Sequence, residues 1–322
     1  MDELPTGAVD SRGSGENSQQ HLPVMAEVAV RLLLESGGEC FVDCTVGGGG
    51  HSEALLKTAV YPIRLIGIDR DTEALEIAQY RLARWSDVLL IHGSFADLEN
   101  LLSAQSVTGV NGVLADFGQS SLQLDDPLRG FSYRQKISGP LDMRYDAGGG
   151  ITAAELVNRT SQTELSDILF RIGEERNARR VTAAIVRNRP IATTSELATV
   201  IRKSIPQNFA TKTLARVFMA LRVVVNDELN AIDRFLPATL KCLNRGGRMV
   251  FISYDSQQDR RVKQFIGENA KTCRCPPNLP VCVCGGKAAL KNLTPKALLP
   301  DAAEVNHNPR SRSARLRAAE KL

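Results

Sequence analysis

The sequence predicts an α/β protein: a doubly wound, mostly parallel sheet with an all-helical domain inserted between its fourth and fifth strands. Three observations carry this reading. Over the first third of the chain, aliphatic runs that end in an acid alternate with segments of helical spacing. Near Pro127 the alternation stops, and helical patterns and loops run to about Leu221. The strand pattern then resumes at Arg248–Tyr254. With 322 residues, 43% of them hydrophobic, the chain can build one large or two ordinary domains.

Residues 1–20 are polar and rich in Gly and Ser, without the basic start and apolar core of a signal peptide. They read as a disordered leader. Ala26–Leu34 has helical apolar spacing. Phe41–Cys44 is the first strand, Glu53–Ala59 a helix and Ile63–Ile68 the second strand. Thr72–Trp85 is helical, Val88–His92 a strand and Leu98–Leu102 a helix; Val110–Asp116 is the fourth strand. Within the insert, 127–221, helices are expected at Thr163–Ile172, Arg176–Arg187, Ser195–Ile205 and from Leu214 to Val225. Asn226–Leu243 is a further helix, closed by Gly246-Gly247. Residues 21–126 and 222–322 then form one discontinuous domain. The Pro-, Cys- and Arg-rich tail from Ala270 predicts little regular structure.

The formal net charge of +4 permits a nucleic-acid partner without requiring one. No apolar run is long enough to span a bilayer, so no membrane partner and a cytoplasmic location are expected. Seven cysteines without a secretory signal point to a reducing compartment. Four of them, Cys273, Cys275, Cys282 and Cys284, could hold zinc or stay free thiols.

The stretch around which the chain is organised is Phe41-Val42-Asp43-Cys44-Thr45-Val46-Gly47-Gly48-Gly49-Gly50-His51. It reads as strand, tight turn, helix. Glycines let the backbone approach a ligand, and the helix N-terminus offers unpaired N–H groups. The dinucleotide fingerprint G-x-G-x-x-G fails, because its third glycine falls on Ser52 or Glu53, which disfavours an oxidoreductase. Asp43-x-x-x-Gly47-x-Gly49, followed by a second acid-ended strand at Asp69, instead resembles class I S-adenosylmethionine methyltransferases, whose sheet domain is Rossmann-like.

Longer motifs narrow the resemblance. His21-Leu22-Pro23-Val24-Met25, Asp43 through His51, Asp116 through Asp125 and Arg129-Gly130-Phe131-Ser132-Tyr133 are similar to those of the ribosomal RNA small subunit methyltransferase H family. So are Gly139 through Arg144, Gly173-Glu174-Glu175-Arg176, Val225 through Leu229 and Asn308 through Arg317. The resemblance covers nearly all of the chain after residue 20. It implies S-adenosylmethionine-dependent methylation of the exocyclic N4 of a cytidine in the decoding region of 16S ribosomal RNA. The small ribosomal subunit is then the partner, with the assembly state open, a homodimer included. It also implies cofactor residues: Gly49, Gly50 and His51 in the loop, Asp69 on the ribose, Phe95 against the adenine, Asp116 and Gln123 at the methionine end.

The resemblance names no proton acceptor for the poorly nucleophilic cytosine amine. Asp142 and Asp255 are candidates, with Phe131, Tyr133 and Tyr254 for stacking on the base. Arg171, Arg176, Arg179, Arg180, Arg187, Arg189, Arg202 and Lys203 in the insert, and Arg310, Arg312, Arg315 and Arg317 in the tail, are expected on RNA phosphates. A solvated face paired with Glu174 and Glu175 is the competing explanation for the insert. Gln119, Thr213-Leu214-Ala215, Met219 and Asp255 depart from the family pattern. They keep open an altered specificity, or a non-catalytic ribosome-assembly protein on a methyltransferase fold.

Overall fold

The computed structural model describes residues 23–134, 138–273, 275 and 286–322. The expected leader, His21, Leu22, Cys282 and Cys284 lie outside the described residues.

Strands β1 (Cys40–Asp43), β2 (Arg64–Asp69), β3 (Val88–His92), β4 (Val110–Asp116) and β5 (Leu243–Ser253) pair in parallel. β7 (Arg315–Lys321) adds antiparallel to β5, and β6 (Leu290–Asn292) pairs with β7. The sheet order is β3-β2-β1-β4-β5-β7-β6. The order reverses beside β1, between β1 and β4, which is where doubly wound sheets bind ligands.

Helices cover both faces because the strand residues alternate. Phe41 and Leu65 point to the side covered by α1 (Ala26–Leu34), α2 (Gly50–Thr58) and α3 (Thr72–Leu82). Val42 and Ile66 point to the side covered by α4 (Leu98–Ala104), α11 (Glu228–Cys242) and α12 (Ser256–Asn269). After the short α5 (Ser121–Asp125), the chain leaves the sheet for α6 (Ala153–Arg159), α7 (Gln162–Arg171), α8 (Ala178–Arg187), α9 (Thr194–Ser204) and α10 (Gln207–Val225). These helices close on a separate core that includes Leu165, Val181, Ile201, Val217 and Leu221. Helix α10 runs through the expected boundary at 221, and its last turn carries Arg222 back under the sheet.

Two expectations are corrected. Gly246 and Gly247 do not close a helix. Helix α11 ends at Cys242, and the glycines lie in the irregular start of β5, with Gly246 at φ 80°. The tail is not irregular throughout. It forms α13 (Ala302–His307), β6 and β7, and β7 is an interior strand. Its pattern, with Leu316, Ala318 and Ala319 buried, is masked in the sequence by Arg315, Arg317 and Lys321. Arg317 is itself buried, donating to Asp259 Oδ1 at 2.6 Å and Oδ2 at 3.1 Å. That pair makes Arg317 a bolt between β7 and α12, unlike the phosphate contact expected of it.

Candidate active site

The carboxyl ends of β1, β2 and β4 open into one cleft of about 440 Å³, a size suited to a small cofactor plus part of a substrate. Gly47, Gly48, Gly50, His51, Asp69, Phe95, Asp116 and Gln123 all line it. Gly49, the remaining expected cofactor residue, does not. It caps α2 at φ 81°, which glycine adopts without strain, and its α-carbon faces Ala78 and Leu82 of α3.

The loop is held from both sides. Asp43 accepts from Thr45 N and, through Oδ2, from Ser52 Oγ at 2.8 Å. Asp69 Oδ2 accepts from Gly47 N at 2.7 Å, and Oδ1 from Asp71 N at 3.0 Å. Burial pushes the Asp69 carboxyl up to about 6. His51 is buried with Nε2 at 2.8 Å from the Val24 carbonyl, which binds the amino-terminal segment to the loop. Phe95 packs against Phe117 and Phe235 and completes an aromatic wall.

Gln123 is part of the scaffold. It forms a capping box with Ser120 at the start of α5, and its Nε2 donates to Asp71 Oδ2 at 2.7 Å. Arg129 donates to the same oxygen at 2.7 Å and to the carbonyls of Arg144 and Tyr145. One carboxylate thus fastens α3, α5 and the start of the insert together.

At the end of β4, Asp116 N donates to Thr45 Oγ1 at 2.7 Å, and Oδ2 accepts from the Tyr254 hydroxyl at 3.1 Å. Oδ1 is buried without a partner. Burial, opposed by His51 and by Tyr254, raises this carboxyl to about 6.

Of the candidates for handling the base, only Tyr254 lines the cleft. Phe131 stacks on Tyr145 in the insert, with ring centroids 5.8 Å apart, and Tyr133 packs against Phe218. Asp142 is committed to Arg144, with two contacts of 2.8 Å. Asp255 caps α12, accepting from Gln257 N and Gln258 N. Among the departures, Gln119 lines the cleft, whereas Thr213, Met219 and Asp255 do not.

Sequence reasoning assigned no role to Glu228, which is largely buried in the cleft wall. It receives Arg222 Nε at 2.7 Å, the Tyr145 hydroxyl at 2.9 Å and Gln258 Nε2 at 3.0 Å. Arg222 also donates to Gln119. The signal was present in the Val225–Leu229 motif, but an acid inside a helix start reads first as a cap.

The glycine turn, the carboxylate at the end of β2 and the aromatic wall fit an adenosine-bearing cofactor with a charged tail. Residues 18–322 match the profile of the MraW methylase family. The chain belongs to that family. A ribosomal RNA small subunit methyltransferase H of Pelobacter propionicus is 46% identical over 312 residues, covering 94% of this chain and 99% of that protein. The enzyme of the same name from Syntrophobacter fumaroxidans is 43% identical over 309 residues, covering 94% of this chain and 96% of its own. A solved rRNA methylase from Streptococcus thermophilus aligns over 92% of this chain and 93% of its own, with 11% identity and a TM-score of 0.40. As a member of the MraW methylase family, the protein takes S-adenosylmethionine as its cofactor. Among the described residues, no helix is long and apolar enough to cross a membrane.

Proposed function

We propose that the protein methylates the exocyclic N4 of a cytidine in the 16S RNA of the small ribosomal subunit. The observation that carries this reading is Asp116, a carboxylate with one oxygen held and one unpartnered, in the cleft that also contains the glycine turn. The family membership supports it.

The cofactor supplies an activated methyl carbon. The chain's residues bind and align. Asp69 takes the ribose hydroxyls, Phe95 the adenine, and Gly47, Gly48, Gly50 and His51 the remaining cofactor wall. Asp116 Oδ1 accepts a hydrogen from the cytosine amine and turns its lone pair toward the methyl group. Tyr254 holds Oδ2 and so fixes the direction of Oδ1. Alignment of this kind provides much of the rate when the electrophile is already activated.

Residues 21–126 and 222–322 form the transfer domain in this reading, and 127–221 grips RNA. Arg171, Arg176, Arg179, Arg180, Arg187 and Lys203 are exposed. Glu174 bonds Ser256 and Glu175 lies against Arg216, so the two acids are engaged elsewhere. Arg189 and Arg202 instead donate to the Thr160 and Tyr133 carbonyls, a structural use. The non-catalytic alternative gains nothing from Asp255, which lies outside the cleft lining. Mass mapping of small-subunit RNA from cells with and without the gene tests the reading. One cytidine should lose one methyl group at N4, and an unchanged map refutes the assignment.

A further inference from the structure

Among the described residues, two of the cleft-lining side chains carry a buried polar atom without a partner: Asp116 through Oδ1 and Arg310 through Nη1. The first is an acceptor and the second a donor. The other such atoms, on Tyr61, Glu175, Thr182, Arg189, Arg202 and Asp255, belong to residues that do not line the cleft.

Arg310 sits in the 3-10 turn Pro309–Ser313, which follows α13. With Asn308 and Ser313 it forms part of the cleft wall, beside Pro23 and Val24 of the amino-terminal segment. Its Nη2 donates to Asp125 Oδ1 at the end of α5. The ion pair anchors the guanidinium from one side and leaves Nη1 uncommitted. A buried donor left unpaired is costly, so two such atoms in one cleft suggest the shape of what fills it.

Cytosine presents a donor, its N4 amine, next to an acceptor, N3. Uracil presents the opposite pair, O4 and N3–H. We propose that Arg310 selects cytosine by donating from Nη1 to N3 of the extruded base, while Asp116 Oδ1 accepts from the amine. The proposal rests on the methylation reading given above. The place of Arg310 in the wall of the cleft that holds Asp116 favours a base edge over a phosphate, which would stay in water. The final torsion of a carboxylate is broad, and the Tyr254 hydrogen bond sets where in that range Oδ1 points.

The test uses the full chain with saturating S-adenosylmethionine. The substrates are small-subunit particles reconstituted with either cytidine or 3-deazacytidine at the methylated position. The deaza base keeps the amine and lacks the N3 acceptor. For the wild type, kcat/KM should fall about 10- to 100-fold on the deaza particle, the effect of removing one hydrogen bond to a base edge. Arg310→Met should lose a similar factor on cytidine and then be indifferent to the deaza change. Its S-adenosylmethionine affinity should stay within about twofold, in line with an interaction made only to the base. If Arg310→Met no longer binds cofactor, Arg310→Lys replaces it; its single nitrogen keeps the Asp125 ion pair and leaves no second donor nitrogen for N3, so the same indifference is expected. An Arg310 variant that is as sensitive to the deaza base as the wild type overturns the proposal and leaves the methylation reading standing. A wild type that leaves the unmodified cytidine untouched removes both.

Discussion

The Tyr254 hydroxyl donates to Asp116 Oδ2 across 3.1 Å, joining the end of β4 to the residue that follows β5. This contact fixes one oxygen of the carboxylate and lowers its affinity for a proton against the effect of burial. The methylation rate should therefore rise with pH through an apparent pKa of about 6. Tyr254→Phe should move that midpoint upward, because the hydrogen bond that favours the charged form is gone. A pH–rate profile of kcat/KM for both proteins checks this; an identical midpoint would show that Asp116 does not control the rate.

Asp69→Ala should weaken S-adenosylmethionine binding by roughly 1–3 kcal/mol, the range for removal of a hydrogen bond to a charged group. Calorimetry measures it. Some of the loss will come from the loop itself, because Asp69 also holds Gly47 N. Asp69→Asn, which keeps the shape, separates the two contributions.

Asp69 and Asp116 should together make the cofactor-free protein less stable as pH rises from about 4 to about 6. Asp69 and Asp116 have folded-state values raised by burial to about 6. Between the ordinary carboxylate value and that one, the unfolded chain loses its protons first, so ionisation favours unfolding. Below this window both states are protonated, and the penalty is absent. Melting temperatures of wild type and Asp116→Asn across pH 4.5–7.5 should converge at the acid end and diverge above it, with the variant the more stable. Parallel curves would contradict the assignment.

Arg317→Met should destabilise the protein by about 3–5 kcal/mol, since it leaves Asp259 buried without its main partner. Arg176, Arg179 and Arg180 changed together to Gln should leave stability near wild type. That triple variant should lower the salt slope of small-subunit RNA affinity by about 0.7–0.9 for each phosphate no longer gripped. Chemical denaturation and a salt series of binding curves make the comparison. An unchanged slope in the triple variant would place the RNA grip elsewhere.

The sheet was legible where burial and periodicity agree. Val88–His92 and Val110–Asp116 were bounded correctly from their apolar runs, and acids at strand ends marked the cleft. β7 was not legible, because Arg315 and Arg317 make an interior strand look like a basic tail until Asp259 supplies the partner. The glycine turn and the carboxyl ends of neighbouring strands are local in sequence, so their meeting in one cleft could be read from spacing. The proposed substrate side draws on Asp116, Tyr254 and Arg310, which line one cleft but lie far apart in the chain. No window of sequence shows that Asp142 already belongs to Arg144, or that Asp255 is occupied as a helix cap.

The cleft wall also has a history in the folding of the chain. Met25 N reaches Glu304 Oε1 at 2.6 Å across a sequence separation of 279 residues. Contacts of such span come late, after the local pairings that bring their ends together. Here those pairings are the β5–β7 ladder and its Arg317–Asp259 bolt. A chain whose strands β1 to β5 have already paired has most of its sheet and yet lacks this wall. Competence to hold a nucleotide is then a later event than compaction, and a substitution under β7 can remove it without touching any residue that meets the ligand.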